Sequence, residues 1–478
     1  MPDAVFLFVN GVPQRISDHA AFGTLATFLR TRLELTGTKI VCEEGDCGAC
    51  SVLVGAPSEK GLDYRPINSC IQFVFQLDGT HVVTVEGLRT GGALHPVQEA
   101  MIRCHGAQCG YCTPGFVVAM CAMYEAGIEP SEKSARDALT GNLCRCTGYE
   151  PIIKAVLDVD PAAVRTINEL YPPETMLGPL REHVRTARRL EHAGRTFYAP
   201  ATIEEAIRFK SENPGVVIVQ GATDIGVQHT KRGLQPAVMM TLGHIPQLSE
   251  LTFDRDLLSV GATVTLTRLE DFYRDRVPEF HRILELFGAP QIKHAGTLAG
   301  NVANASPIAD SLPFLSVMDA EVELTGLAGA RRVSINSFYL GYKTLDLRPD
   351  ELITRILIPM PPSSEILKLY KVSKRKNLDI STFTAAIRMR IREGRIEGAR
   401  IAYGGVGPTV LRLPRTEGFL EGKAFIPDVF REAGETALGE IAPISDVRGA
   451  AAFRNRLAGN VLMKFYYESA ASAQEAAR

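Results

Sequence analysis

The chain has 478 residues with 52 Lys and Arg against 54 Asp and Glu, a formal charge of −2, and no Trp among its 7% aromatic residues. That length exceeds one hydrophobic core and calls for two to four domains, while 45% apolar and 22% charged residues describe an ordinary soluble globular protein. So even a charge balance gives no footing for nucleic acid or an anionic membrane, and the sparse aromatics argue against a platform for stacked bases.

Val5 to Val9 and Val12 to Ile16, parted by Asn10-Gly11, read as a hairpin on a type I′ turn. The first run lacks the basic start and the length of a signal peptide, and no stretch of about twenty apolar residues occurs anywhere. Neither leader nor transmembrane helix is expected, and the expected location is the cytosol, where clustered cysteines more often bind metal than pair. Leu25, Phe28, Leu29 and Leu33 share one face of a helix over 24–33. Strands over 51–54 and 82–85 complete a small α+β unit around a cysteine loop. From about Gly91 the texture turns helical, with Pro96 tolerated in a first turn and further helices over 114–124, 134–139 and 151–157. Residues 160–195, rich in charge and holding Pro161, Pro172, Pro173 and Pro179, read as a linker with room for short helices. Strands and helices alternate over 196–362, with Thr202 and Glu205 as a capping box and a buried strand over 216–219. Pro359-Met360-Pro361-Pro362 marks a boundary before a last α+β segment. The expected divisions are 1–88, 89–160, 161–195, 196–362 and 363–478.

All ten cysteines lie between positions 42 and 146. Cys42, Cys47 and Cys50 form C-x₄-C-x₂-C with Cys70 twenty residues on, the plant-type [2Fe–2S] spacing. Four residues between the first two ligands let one loop wrap two irons, whereas zinc favours two close pairs around one ion. Gly45, Gly48 and Ala49 leave room for amides to approach cluster sulfurs. Zinc and buried structural thiols are the competing readings. Cys109 and Cys112 then form C-x₂-C, answered by Cys144 and Cys146 as C-x-C, a spacing that leaves both iron–sulfur and zinc open. Cys112 and Cys144 are each read as lying just before a helix, where amide donors and the dipole favour thiolate. Four thiolates around a cluster leave no open position for substrate, so electron transfer is the natural role. Cys121 reads as a buried small hydrophobe, and Cys104 receives no role.

Beyond Cys146 the chain has no cysteine. Val219-Gln220-Gly221-Ala222-Thr223-Asp224-Ile225-Gly226 follows a strand and offers backbone amides to a phosphate, although turns of this kind are common and the stretch matches neither G-x-G-x-x-G nor a P-loop. Gly404-Gly405-Val406-Gly407 precedes Pro408 and reads as a turn. The stretch 297–310 is dense in small, hydroxyl and amide side chains, which permits close approach to a polar ligand.

Cys42-Glu43-Glu44-Gly45-Asp46-Cys47-Gly48-Ala49-Cys50 resembles the first cluster loop of the molybdenum hydroxylase (xanthine dehydrogenase) family. Gly106-Ala107-Gln108-Cys109-Gly110-Tyr111-Cys112-Thr113-Pro114-Gly115 and Gly141-Asn142-Leu143-Cys144-Arg145-Cys146-Thr147-Gly148-Tyr149 resemble its second, and the likeness covers about 4–160 and 196–470. The resemblance implies an α+β multidomain chain: a β-grasp plant-type ferredoxin domain, a helical-bundle [2Fe–2S] domain, an α+β FAD-binding domain and a C-terminal α+β flavoprotein subdomain. It implies two [2Fe–2S] clusters, one on Cys42, Cys47, Cys50 and Cys70 and one on Cys109, Cys112, Cys144 and Cys146. Gln108 would meet the pterin of a molybdenum cofactor on a partner. Gln220, Gly221, Ala222, Thr223, Asp224 and Ile225 would bind the FAD pyrophosphate, with Thr297, Gly300, Asn301 and Asp310 at its ribityl or adenosine portions. Phe287, Ile353 and Lys371 fall where the family has flavin contacts.

Residues 371–381 resemble the loop beside the flavin in NAD-dependent members, though Leu378-Asp379 stands where animal-type dehydrogenases often carry two acidic residues. A solvated charge run is the plainer reading there. No segment resembles the family's large molybdenum-binding region. The chain is most like the small subunit of a bacterial split xanthine dehydrogenase. That implies electrons passing from a large molybdopterin-binding subunit through two clusters to FAD and then NAD, in a heterotetramer or dimer of heterodimers. It also implies no catalytic base on this chain. The same chassis in an aldehyde or N-heterocycle hydroxylase, a ferredoxin-like carrier and a zinc-stabilised scaffold are the rival readings.

Overall fold

Five consecutive apolar residues, Val5–Val9 (β1), are all buried because both faces of their sheet are covered. Side chains alternate across a strand. Val5, Leu7 and Val9 therefore enter one core, with Phe28, Leu29, Phe75, Phe197, Val219 and Met239. Phe6 and Phe8 enter another, with Met101, Phe116, Met120 and Leu180. The computed structural model describes residues 4–89 and 91–476, with side chains to 471; residues 1–3, 90 and 477–478 of the expected segments lie outside the described residues. The chain divides into two units, 1–246 with 289–296, and 247–288 with 297–478, so the expected 196–362 segment contributes to both.

In the first unit β1 pairs antiparallel with β2 (Val12–Ile16) across Asn10 and Gly11, whose φ of 48° and 79° are those a type I′ turn requires. β3 (Ser51–Ser58), β4 (Gly61–Asn68) and β5 (His81–Val83) complete a sheet ordered β2-β1-β5-β3-β4, with β1 and β5 parallel. α1 (Leu25–Thr31) starts at Thr24, whose hydroxyl accepts from the Thr27 amide. The expected helical bundle follows as α2 (Pro96–Arg103), α3 (Thr113–Glu125), α4 (Glu132–Ala138) and α5 (Glu150–Asp158). The charged, proline-rich segment after it is not a free tether. It folds into α6 (Ile167–Leu170), α7 (Glu174–Val184) and β6 (Arg188–His192), and Ile167, Met176 and Leu180 sink into the helical core. His183 Nε2 meets the buried Asp78 carboxylate at 2.7 Å. β7 (Arg195–Ala199), α8 (Ile203–Glu212), β8 (Val217–Ile218), α9 (Ile225–Arg232) and β9 (Val238–Met240) follow, with Thr202 and Glu205 forming the capping box at α8. The strands order β6-β7-β9-β8, and the last three run parallel.

Tyr64 and His81 tie β4 to β5. The Gly11 amide donates to His81 Nε2 at 3.0 Å, so the ring proton sits on Nδ1 and is donated to the Tyr64 hydroxyl at 2.7 Å. Burial pushes His81 from 6.5 down to about 4. Because the pKa is lowered on folding, the unfolded chain takes the proton first. The neutral ring's contribution is whole above pH 6.5 and is lost as pH falls toward about 4, on the order of 3 kcal/mol across that window. Denaturation midpoints taken near pH 7 and pH 5 are expected to separate further in the native chain than in His81→Phe, and equal separations would refute this account.

In the second unit β10 (Leu251–Asp254) and β11 (Leu257–Gly261) precede α10 (Leu266–Tyr273) and α11 (Pro278–Phe287). β12 (Glu321–Gly326) and β13 (Gly329–Ser334), the small hairpin β14 (Tyr339–Gly341) and β15 (Thr344–Leu345), and β16 (Leu352–Pro359) come next. The larger sheet is antiparallel, β10-β11-β16-β12-β13. A separate meander of β17 (Glu365–Val372), β18 (Phe383–Arg392), β19 (Arg395–Gly404) and β20 (Leu411–Arg412) carries Phe383, Ile387 and Tyr403 against Phe430, Leu462 and Phe465 of the two closing helices. Among the described residues no helix is long and apolar enough to cross a membrane.

Candidate functional site

The loop after α1 carries Cys42, Cys47 and Cys50, and β4 ends two residues before Cys70. Gly45 at φ 77° and Gly48 at φ 68° give the loop its left-handed turns. A side chain at Gly48 would lie 2.3 Å from the Gly141 carbonyl. The four thiols face one another: those of Cys47 and Cys70 hydrogen-bond to Cys42 and hold it well below the ordinary thiol range, and the Cys70 thiol does the same for Cys50. Cys47 and Cys70 are pushed up in return. Ala26 and Ile71 pack with Cys50 and Cys70 in a small apolar pocket, bordered by Ile40, Val227 and Ile292.

Cys112 caps the start of α3 and Cys144 and Cys146 lie on the turn before α5. Cys109 and Cys146 stand 3.7 Å apart in the open. Burial pushes Cys112 up to about 12, with the Cys144 thiol adding to it. Cys144 differs from expectation, because α5 begins only at Glu150, beyond reach of its sulfur. Its negative charge is served by the turn instead: the Thr147 hydroxyl lies at 3.2 Å and the amides of Cys146 and Thr147 donate at 3.4 and 3.5 Å. Burial raises this thiol, and those donors bring it below its usual value. Amide donors to sulfur of this kind support thiolate ligands. Cys121 is buried as expected, 3.9 Å from His95 Nε2, and Cys104 ends α2 half-buried. Gln108 is exposed.

The two thiol sets share a backbone seam. The Leu143 amide donates to the Cys47 carbonyl at 3.0 Å, and the Asn142 side chain to the Gly48 carbonyl at 3.2 Å. Gln291, fully buried, donates on to Asn142 Oδ1 at 2.9 Å. A Cβ on Gly115 would fall 2.1 Å from the Gly48 carbonyl, so only glycine permits the approach. Among the described residues no three His, Cys, Asp or Glu side chains close on one point as ligands of a single metal ion do. Cys42, Cys47, Cys50 and Cys70 shift one another's protonation, as do Cys109, Cys112, Cys144 and Cys146, and a [2Fe–2S] cluster asks two thiolates of each iron. The donor set fits.

Gln220 to Asp224 form the turn between β8 and α9, with Ala222 at φ 51°. Among the described residues the amides of Gly221, Ala222, Thr223 and Asp224 donate to no acceptor of the chain. Such a row of free amides at a helix start is where a diphosphate binds. Gly221 rests on the Ala295 carbonyl, 2.2 Å from where a Cβ would stand. The Gln220 side chain turns away from this row, accepting from the Leu242 amide at 3.1 Å, so its contribution to the turn is backbone.

The second unit holds the remaining expected residues. Thr297 caps the helix Leu298–Ala303, accepting from the Gly300 amide at 3.0 Å. Asn301 accepts from Ser311 at 2.6 Å through Oδ1, which leaves its amide end for a ligand. Asp310 and Lys371 are one buried ion pair, and Ser381 donates to the other Asp310 oxygen at 2.5 Å. Burial pushes the Asp310 carboxyl up against the pull of those two donors. Ile353 is buried in β16 and Phe287 half-buried at the end of α11. Ser311 and Ser381 carry no sequence signal that separates them from other serines. In the 371–381 loop Arg375 pairs with Asp379 at 2.6 Å, while Lys374, Arg375 and Lys376 are exposed.

Known proteins resemble this chain domain by domain. Family models match at residues 190–361 (FAD binding domain in molybdopterin dehydrogenase), 84–157 ([2Fe-2S] binding domain) and 368–469 (CO dehydrogenase flavoprotein C-terminal domain). Xanthine dehydrogenase 1 of Arabidopsis thaliana is 30% identical over 539 residues, covering 96% of this chain and 39% of that protein. Aldehyde oxidase 2 of Macaca fascicularis is 31% identical over 530 residues, covering 98% and 39%. The chain thus spans about two fifths of the length of the curated relatives it matches. Among solved structures, a carbon monoxide dehydrogenase of Hydrogenophaga pseudoflava superposes with a TM-score of 0.54 at 25% identity, over 56% of this chain and 94% of that one. Quinoline 2-oxidoreductase of Pseudomonas putida 86 gives 0.53 at 27%, over 57% and 96%. A [2Fe-2S] binding domain, a FAD binding domain and a CO dehydrogenase flavoprotein C-terminal domain in one chain, with oxidoreductases as its relatives, support a member of the molybdenum hydroxylase family.

Proposed function

We propose that this chain is the electron-transfer subunit of a xanthine dehydrogenase, passing electrons from a molybdenum cofactor on a large partner subunit through two [2Fe–2S] clusters to FAD and on to NAD. The observation that carries the reading is the seam between the thiol sets, the Leu143 amide on the Cys47 carbonyl at 3.0 Å, which supports two neighbouring thiol sites. Clusters and flavin, when bound, supply the redox chemistry and convert one-electron into two-electron transfer. The chain's own residues hold and tune. Cys42, Cys47, Cys50 and Cys70 would hold the first cluster in its apolar pocket, and Cys109, Cys112, Cys144 and Cys146 the second at the exposed end, beside Gln108. The free amides of residues 221–224 would bind the diphosphate. Lys371 is committed to Asp310, so NAD phosphates would meet Lys374, Arg375 and Lys376 instead.

Xanthine as substrate rests on the relatives that bear that name, and an aldehyde or N-heterocycle is the second reading because aldehyde oxidase 2 and quinoline 2-oxidoreductase match as well. Co-purification with a large molybdopterin subunit tests the whole: expected are about four irons per chain, flavin bands, and xanthine-dependent NADH formation. Zinc without a brown colour, or no flavin bands, would overturn it.

A further inference from the structure

The turn that supplies Cys70 also reaches the dinucleotide loop. After Cys70 and Ile71, Gln72 is buried at 4% exposure and its side-chain amide donates to the Gly221 carbonyl at 2.8 Å. Four residues on, Gln76 donates to the Gln220 carbonyl at 2.9 Å. Gln76 is itself oriented: its Oε1 accepts from the Phe73 amide at 2.8 Å, which leaves only the NH₂ end to face outward. Gly226 completes the contact, since a Cβ there would fall 2.0 Å from the Ile71 carbonyl. Thr230 on α9 donates to the Glu43 carbonyl, beside Cys42, at 2.5 Å.

A trans peptide points its C=O and the following N–H in opposite directions. Anchoring the Gln220 and Gly221 carbonyls therefore aims the Gly221 and Ala222 amides the other way, out of the loop. Ala222 sits at φ 51°, a conformation a non-glycine residue keeps only when its surroundings impose it. Two consecutive carbonyl anchors impose it here. We propose that Gln72 and Gln76 are positioning residues for FAD: from the fold of the first cluster site they set the amide row that grips the diphosphate. This rests on the flavin reading above.

The test uses the full chain, freed of flavin and titrated with FAD by fluorescence, with the EPR signals of both clusters recorded alongside. Gln72→Met and Gln76→Met are each expected to raise the FAD Kd about fivefold, the worth of one neutral hydrogen bond, and together about 25-fold, with both EPR signals unchanged. Gln72→Glu supplies a signature that a packing role would not give. A protonated carboxyl can donate to the Gly221 carbonyl and an ionised one cannot, and burial lifts a glutamate pKa toward neutrality. The FAD affinity of Gln72→Glu is expected to recover as pH falls from about 8 to about 6, while that of Gln72→Met stays level. Unchanged Kd values with intact clusters would overturn the proposal. If Gln72→Met loses its cluster, Gln76→Met decides alone by the same criterion. A native chain that takes up no FAD would instead overturn the flavin reading, and this proposal with it.

Discussion

Cys109→Ser should erase the EPR signal of one reduced cluster and leave the other in place. A serine hydroxyl does not ionise in the range where a thiol does, so the site keeps three ligands where four are required. Loss of metal from that site should exceed the roughly 10–100-fold effect of changing a residue that merely supports a ligand. Cys109 stands exposed, 3.7 Å from Cys146, and no core depends on it, so the fold should survive. The set around Cys42 is joined to this one by the Leu143 amide on the Cys47 carbonyl and the Asn142 side chain on the Gly48 carbonyl, which the substitution does not touch. In the proposed complex with a large molybdopterin subunit, reduction of the flavin by substrate should stall while an artificial donor still reduces it. Loss of neither signal would refute the ligand assignment.

Much of this arrangement was legible because its signals are local. The hairpin needs only Asn10-Gly11 between apolar runs, and the capping box only Thr202 and Glu205. Cysteine spacing is local as well, and so both thiol sets could be drawn before any coordinates. What escaped depends on tertiary contact. The unbroken run Val5 to Val9 announces burial, but not that alternate side chains serve two different cores. Charge and proline made 161–195 read as a linker with room for short helices, and its docking through Met176 and Leu180, one helical turn apart, shows only in the packing. Gln72 and Gln76 are polar residues inside an apolar stretch, a mark of something to satisfy, but their acceptors lie near position 220, far along the chain. Helix proximity was over-read at Cys144, whose amide donors come from its own turn. Asp310 and Lys371, expected as separate ligand contacts, proved to be each other's partner.

That pairing makes Asp310→Ala the substitution with the largest expected cost. It leaves the Lys371 ammonium, with a side chain 1% exposed, without its carboxylate, and takes the acceptor from Ser381. Breaking a buried pair from one side costs about 3–5 kcal/mol, since the orphaned charge stays desolvated. Stability and FAD content should both fall, which alone would not separate a binding role from a folding one. Adding Lys371→Met does. Replacing both members of a buried pair by apolar groups is often close to neutral, so the double variant should recover most of the lost stability. If Asp310 also meets the dinucleotide, the recovered fold will still take up less FAD, and adding Asn301→Ala should lower it further while the cluster signals persist. FAD content that returns together with stability would make the pair structural and break its place among the flavin contacts. Asn301, whose amide end meets no acceptor among the described residues, would then carry the polar contact of this unit without it.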